Sequence, residues 1–163
     1  MSVRLRNVEL SDLPIFFEDQ QNKLANEMAA MKPQGSQAFY QRWDRILKDA
    51  TVERKTILFD ETVAGSISCF MAEEDFCIGY WVSYGFWGRG IASEAVRLML
   101  EQVDRRPILA TAAETNVASI RVLTKNGFVI TGTRHSEETD RYCECTEVMF
   151  RLDATSQSLG QTN

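Results

Sequence analysis

Two segments of the chain combine residue types and spacings that could do chemistry. The first is Tyr80-Trp81-Val82-Ser83-Tyr84-Gly85-Phe86-Trp87-Gly88-Arg89-Gly90-Ile91-Ala92, an apolar run that passes through spaced glycines into a helical pattern. Glycine lets backbone N–H groups approach an anion closely, and a helix N-terminus adds partial positive charge. Such a loop suits a phosphate or pyrophosphate, and a plain structural turn would also account for Gly88-Arg89-Gly90. The second segment, Asn116 to Phe128, opens on a helix-capping residue, carries Ser119 and Lys125, and closes on Asn126-Gly127. An ordinary capped helix ending at glycine explains Asn116 and Gly127.

These segments sit in 163 residues, one domain by length and long enough to bury a core. Hydrophobic residues are 44% and charged residues 25%, as in globular proteins. The formal net charge of -5 argues against nonspecific nucleic-acid binding and leans towards a cationic partner such as an amine. No apolar run reaches membrane-spanning length, and Met1-Ser-Val-Arg-Leu-Arg has no apolar leader, so a cytoplasmic location is expected. Four cysteines without a CxxC pair and a single histidine, His135, make a metal site improbable and point to buried or half-buried free thiols.

The elements that must position the two segments follow from periodicity. Val3 to Val8 alternates as a strand. Ser11-Asp12-Leu13-Pro14 starts a helix expected to run to about Met31, and Ser36 is placed as the cap of a second, with Phe39, Trp43, Ile46 and Leu47 on one face. Residues 54–59, 62–71 and 75–83 read as an antiparallel meander. A helix from Gly90 follows, with Ile91, Ala95, Met99 and Val103 in one stripe. Then come strand 108–113, helix 117–126, and strands 128–134 and 142–152. The predicted order is β-α-α-β-β-β-α-β-α-β-β. It implies an α/β (α+β) fold with a mixed, mostly antiparallel sheet in one domain, residues 1–152, and a frayed tail, 153–163.

Together the two segments resemble the GNAT N-acetyltransferase superfamily. The loop is similar to its acetyl-CoA pyrophosphate loop, and Asn116-x-x-Ser119 with Lys125-x-Gly127-Phe128 to the helix after the next strand. Ile78-Gly79-Tyr80-Trp81-Val82 resembles the strand of the RimJ/RimL branch, which acetylates ribosomal-protein N-termini. The order of elements matches to about Leu152.

The resemblance implies a fold and an acetyl-CoA co-substrate without metal. Strands 75–83 and 108–113 would splay apart around the pantetheine arm. Backbone amides from Phe86 through Trp87, Gly88, Arg89, Gly90, Ile91 and Ala92 would hold the pyrophosphate. An amide at Trp81 or Val82 would polarise the thioester carbonyl, with Asn116, Ser119 and Lys125 also at the cofactor. A tyrosine acts as general acid in many members, but its place holds Leu123, so the thiolate takes its proton from Ser119 or water, or leaves unprotonated. The loop's usual first polar residue falls on Gly85. The base that frees the amine would be Glu138, similar in spacing to a catalytic glutamate of the branch, or Glu114 at the mouth of the splay, with Glu137 and His135 as further candidates. Tyr84 could line the acceptor site, and residues 20–47 would roof it. The partners implied are acetyl-CoA and a protein N-terminus or small amine, with a homodimer as the candidate assembly and neither nucleic acid nor membrane.

Two other classes compete. A Rossmann oxidoreductase would use Gly88-x-Gly90 and Glu114, but the third glycine position holds Ser93 and the loop follows an antiparallel meander mid-chain. A non-catalytic CoA-binding module would explain Leu123 and Gly85; thioester turnover with a panel of amines separates it from an enzyme.

Overall fold

The computed structural model describes residues 2–154, so the tail expected at 153–163 lies largely outside the described residues. Seven strands form one sheet in the order β1-β2-β3-β4-β5-β7-β6. They are β1 (Val3–Asn7), β2 (Glu53–Phe59), β3 (Thr62–Ala72), β4 (Asp75–Val82), β5 (Ile108–Ala113), β6 (Val129–Ser136) and β7 (Cys145–Leu152). Every neighbouring pair is antiparallel except β4 and β5. That exception follows from the crossover helix α4 (Ile91–Gln102), which returns the chain in the same direction.

The stripe expected on α4 is the centre of the main core. Ile91, Ala95 and Met99 are at most 2% exposed, and they pack with Ile57, Ile67, Ile108, Leu123 and Phe150. The helix α5 (Val117–Lys125) lies on this same face, with Asn116 Oδ1 accepting from the Ser119 amide and Gly127 at φ 90° just past its end. On the opposite face, α1 (Leu13–Asp19) and α3 (Ser36–Lys48) bury Leu13, Phe16, Phe39 and Trp43, with Phe16 stacked on Trp43 at 5.2 Å.

Four local expectations are corrected. The first helix does not run to Met31. Asn22 accepts from the Ala25 amide and starts a separate α2 (Lys23–Ala29), which ends on Ala30 in the left-handed region at φ 55°. Asparagine's capping chemistry outcompetes continuation at that point. Gly35, not Ser36, is the N-cap of α3, and Leu47 turns outward at 40% exposure. Finally β7 begins at Cys145, which leaves Cys143 exposed before the strand rather than half-buried in it.

Candidate active site

The sheet is open in its middle. β4 and β5 share only one paired position, Cys77 with Leu109, and beyond it their C-terminal halves separate. A cavity of about 490 Å³ fills the gap, lined by Ile78 to Val82 on one side and Ala110 to Ala113 on the other. The α4 loop closes one end and α2 with Tyr142 the other.

The α4 loop leaves a set of backbone amides without partners at the helix N-terminus, narrower than the set expected. Residues Tyr84–Phe86 form one tight 3-10 turn, in which the Phe86 amide donates to Ser83 O at 2.9 Å and the Trp87 amide to Tyr84 O at 3.1 Å. Those two N–H groups are spent inside the loop. The first helical bond runs from the Glu94 amide to Gly90 O, so the amides from Gly88 to Ser93 precede it and face outward. Gly88 and Gly90 adopt φ of 79° and 74°, a region that disfavours side chains, and so aim those amides. Trp87 Nε1 donates to Val82 O at 2.8 Å and fixes the loop to the end of β4.

Val82 and Trp81 differ in direction. The Ser83 amide donates to Ala64 O, on β3. By the alternation of an antiparallel ladder the Trp81 amide also faces β3, whereas those of Tyr80 and Val82 face the splay. Gly65 permits this close pairing, since a Cβ there would collide with the Trp81 carbonyl oxygen.

Among the expected cofactor and catalytic residues, Trp81, Val82, Phe86, Trp87, Gly88, Gly90, Ile91, Ala92, Asn116 and Ser119 line the cavity. Arg89 is exposed, with its guanidinium 5.7 Å from the rings of Phe59 and Phe86. Lys125 is exposed at the end of α5, close enough to Glu94 in the first turn of α4 to lower that carboxyl's pKa, after the larger effect of Arg97. Tyr84 packs on Trp87 outside the cavity.

None of the carboxylates expected as bases reaches the cavity wall. Glu114 ends β5 with its side chain exposed. Glu138 is 64% exposed and ion-paired with Lys32 at 2.7 Å, which holds its carboxyl below the ordinary range. Glu137 and His135 also lie outside, and His135 Nε2 is 3.2 Å from Glu144. Among the described residues one carboxylate does line the cavity: Glu147 on β7, 19% exposed, opposite Ala113. Arg134 grips its Oε2 through Nε at 3.0 Å and Nη2 at 2.9 Å. Sequence reasoning missed it because Arg134 and Glu147 meet only through the β6–β7 register.

Tyr80 was missed as well. Its hydroxyl lies 2.7 Å from Ser119 Oγ, and burial pushes its pKa up to about 12, so it remains protonated. Leu123 is fully buried and offers no polar atom. Asn126 Nδ2 also donates to Ser93 O and Oγ, both at 3.2 Å, and so ties the end of α5 to the first turn of α4.

A mixed sheet splayed at its one parallel pair, with a glycine-aimed helix N-terminus at the opening, is the architecture of the acyl-CoA N-acyltransferases. The chain belongs to the GNAT acetyltransferase family, whose acetyltransferase (GNAT) domain model matches residues 2–129. Among solved structures it is similar to the acetyltransferase from Salmonella typhimurium that modifies the N-terminal serine of a 50S ribosomal subunit protein (18% identity, TM-score 0.76, 95% of this chain and 96% of that one). It is also similar to spermidine N-acetyltransferase from Vibrio cholerae, in complex with CoA and spermine (16%, 0.74, 91% and 95%), and to RimJ from Mycobacterium smegmatis, in complex with a CoA disulfide (21%, 0.73, 93% and 82%). No curated protein matches the chain significantly. Among the described residues no helix is long and apolar enough to cross a membrane, and no cluster of three His, Cys, Asp or Glu side chains could hold a metal ion.

Proposed function

We propose that residues 1–152 act as one cytoplasmic domain that moves the acetyl group of acetyl-CoA directly to a primary amine within a ternary complex. The observation that carries this reading is the open β4–β5 splay with the outward amides of Gly88 to Ser93 at its end. Acetyl-CoA supplies an activated acetyl thioester. The Gly88–Ser93 amides bind its pyrophosphate, aided by Lys125 nearby. The Val82 amide donates to the thioester oxygen as negative charge develops there. Ser119, hydrogen-bonded to Tyr80, passes a proton to the departing thiolate as it recovers one from water. Glu147 takes the proton that the amine must lose, since an ammonium has no lone pair for attack.

This assignment moves the base from Glu138 and Glu114, which face solvent, to the one carboxylate in the cavity wall. It also supplies a proton donor despite Leu123, which weakens the case for a non-catalytic module. A panel of primary amines with acetyl-CoA, read by CoA release, tests the reading. Transfer to at least one amine class is expected; tight CoA binding with no transfer to any class would leave a binding module.

A further inference from the structure

Three arginines gather on the sheet face away from the α4 loop: Arg42 on α3, Arg54 on β2, and Arg141 between β6 and β7. Ile57 and Phe59 belong to the core containing α4, so by strand alternation Arg54 faces α3, where its guanidinium lies 4.5 Å over the Trp43 ring. Arg141 sits 5.3 Å over the Tyr142 ring. All three are only partly exposed.

Among the described residues no carboxylate forms an ion pair with any of them. The arginines that form ion pairs among the described residues are Arg4, Arg6, Arg97, Arg134 and Arg151, and these three are not among them. Nε of Arg54 and Nε of Arg141 are buried without any hydrogen-bond partner. Burial pushes both Arg42 and Arg54 down to about 10, with repulsion from Arg141 adding to the effect at Arg42 and repulsion from Arg42 adding to it at Arg54. Desolvated like charges with unmet donors are costly unless something anionic joins them. A guanidinium fork matches the two oxygens of a carboxylate or phosphate.

None of the three arginines lines the cavity itself, and Arg54 lines a smaller pocket with Asp49 and Glu53, but their chain neighbours and strand partners reach the cavity wall. Residues 141–143 are stitched to α2's end, with the Lys32 amide donating to Arg141 O and the Cys143 amide to Ala30 O, both at 2.8 Å. Met31 and Tyr142, which pair between those bonds, line the cavity. From the other side, Arg54 pairs with Ser68 and Ser68 with Gly79, a cavity residue. Two interstrand spacings, about 10 Å, therefore separate the Arg54 and Gly79 backbones. Roughly three extended residues span that distance.

We propose that Arg42, Arg54 and Arg141 form an oxyanion subsite for the acceptor, so that the amine acetylated by this chain also carries a carboxylate or phosphate. The inference rests on the N-acetyltransferase reading and specifies its acceptor: an anionic amine, such as a peptide amino terminus followed closely by an acidic group, despite the overall charge of -5. A polyamine, which has no anion, would leave the subsite empty.

The test uses three C-terminally amidated peptides, Ser-Gly-Glu, Ser-Gly-Gln and Ser-Gly-phosphoserine. Acetylation is followed by CoA release, and binding to the CoA-loaded protein by calorimetry. At least one anionic peptide should exceed the glutamine peptide about tenfold in kcat/KM, which is about 1.4 kcal/mol. The larger of the two ratios distinguishes carboxylate from phosphate. In R42Q and R141Q the ratio should fall towards one, and R141K, which keeps charge but not the fork, should lie between. R97Q, on an exposed ion pair of α4, should keep the wild-type ratio, and melting temperatures establish that each variant is folded. Equal use and equal binding of all three peptides would overturn the subsite while leaving the acetyltransferase reading intact, as would a preference that persists in folded R42Q, R141Q and R141K. Arginine-dependent binding of an anionic peptide with no acetyl transfer to any amine would do the reverse.

Discussion

The hydroxyl of Tyr80 and Oγ of Ser119 stand 2.7 Å apart across the mouth of the splayed sheet, one on β4 and the other in the first turn of α5. The pair joins β4 to α5 and places both hydroxyls in the cavity lining. Tyr80, held protonated by burial, can donate to Ser119 throughout the neutral range while Ser119 donates onward. A thiol is far more acidic than an alcohol, so the leaving group needs only modest help.

Replacing Ser119 with Ala should therefore lower kcat by about 100-fold and Tyr80→Phe by about tenfold. The double variant should lose little more than Ser119→Ala, because both hydroxyls serve one proton path. Steady-state kinetics of the three proteins checks this, and fully additive losses would separate the two residues. Loss of the Tyr80 hydrogen bond alone should cost only about 1 kcal/mol of stability.

For the α4 loop, the relevant fact is that Gly88 and Gly90 have positive φ yet open space where a Cβ would stand. A Cβ at either position meets no neighbour in the protein, so the penalty of a valine comes from backbone strain and from a β-branched side chain beside the amides. Gly88→Val and Gly90→Val are each expected to weaken CoA binding by at least about tenfold, or 1.4 kcal/mol. Gly85→Ala serves as the control, since Gly85 has neither a positive φ nor a near neighbour, and it should bind CoA like wild type. Calorimetry on the three variants decides; equal affinities would remove the loop from the cofactor site.

Much of this arrangement was legible in sequence, and the limits have physical causes. The α4 stripe, the meander, the Asn116 cap and the left-handed Gly127 follow from local rules: periodicity, short turns, capping chemistry and φ preference. Lining of the cavity by Ser119 and the glycine loop followed from motif spacing. What escaped depends on register between distant segments. Glu147 enters the cavity only because β7 inserts between β5 and β6. Tyr80 meets Ser119 across 39 positions of chain. The tight turn at Tyr84–Phe86, in which the Phe86 and Trp87 amides donate inside the loop, also escaped motif spacing. The arginine cluster draws its members from three elements that no local pattern connects.

Asp12 gives a pH-dependent test of the fold. Its side chain, 3% exposed, accepts from Arg6 Nη1 and Nη2, the Glu9 amide and Thr56 Oγ1, linking β1, β2 and α1. Burial alone would raise its pKa, but these donors outweigh burial and leave it lowered. A carboxyl depressed in the folded state adds stability above its unfolded value, near 3.8, and loses it as pH falls through the folded value. Asp12→Asn should cost about 3 kcal/mol at neutral pH, or about 10 °C in melting temperature. The gap between wild type and variant should narrow as pH falls below about 4. Thermal melts across pH check both the size and the direction.

The final test concerns the base, where sequence and structure point to different carboxylates. An amine resembling lysine is almost wholly protonated at neutral pH, so a base at the cavity wall gains most when free amine is scarce. Glu147 lines the cavity, and Arg134 engages only its Oε2, which leaves Oε1 free of that contact. Glu138 is held by Lys32 in solvent, and Glu114 is exposed beyond the strand end. Glu147→Gln should lower turnover at neutral pH by 10²-fold or more, on the order of a lost general base, with partial recovery at high pH where free amine is abundant. Glu138→Gln and Glu114→Gln should keep turnover within about twofold of wild type, a difference of roughly 0.4 kcal/mol in barrier. A side chain that merely attracts a cationic acceptor would instead raise its KM in a salt-sensitive way. The pH profiles of kcat and KM for the three glutamine variants separate these roles. A normal profile in Glu147→Gln would shift the proton to water and leave the rate to positioning within the splay.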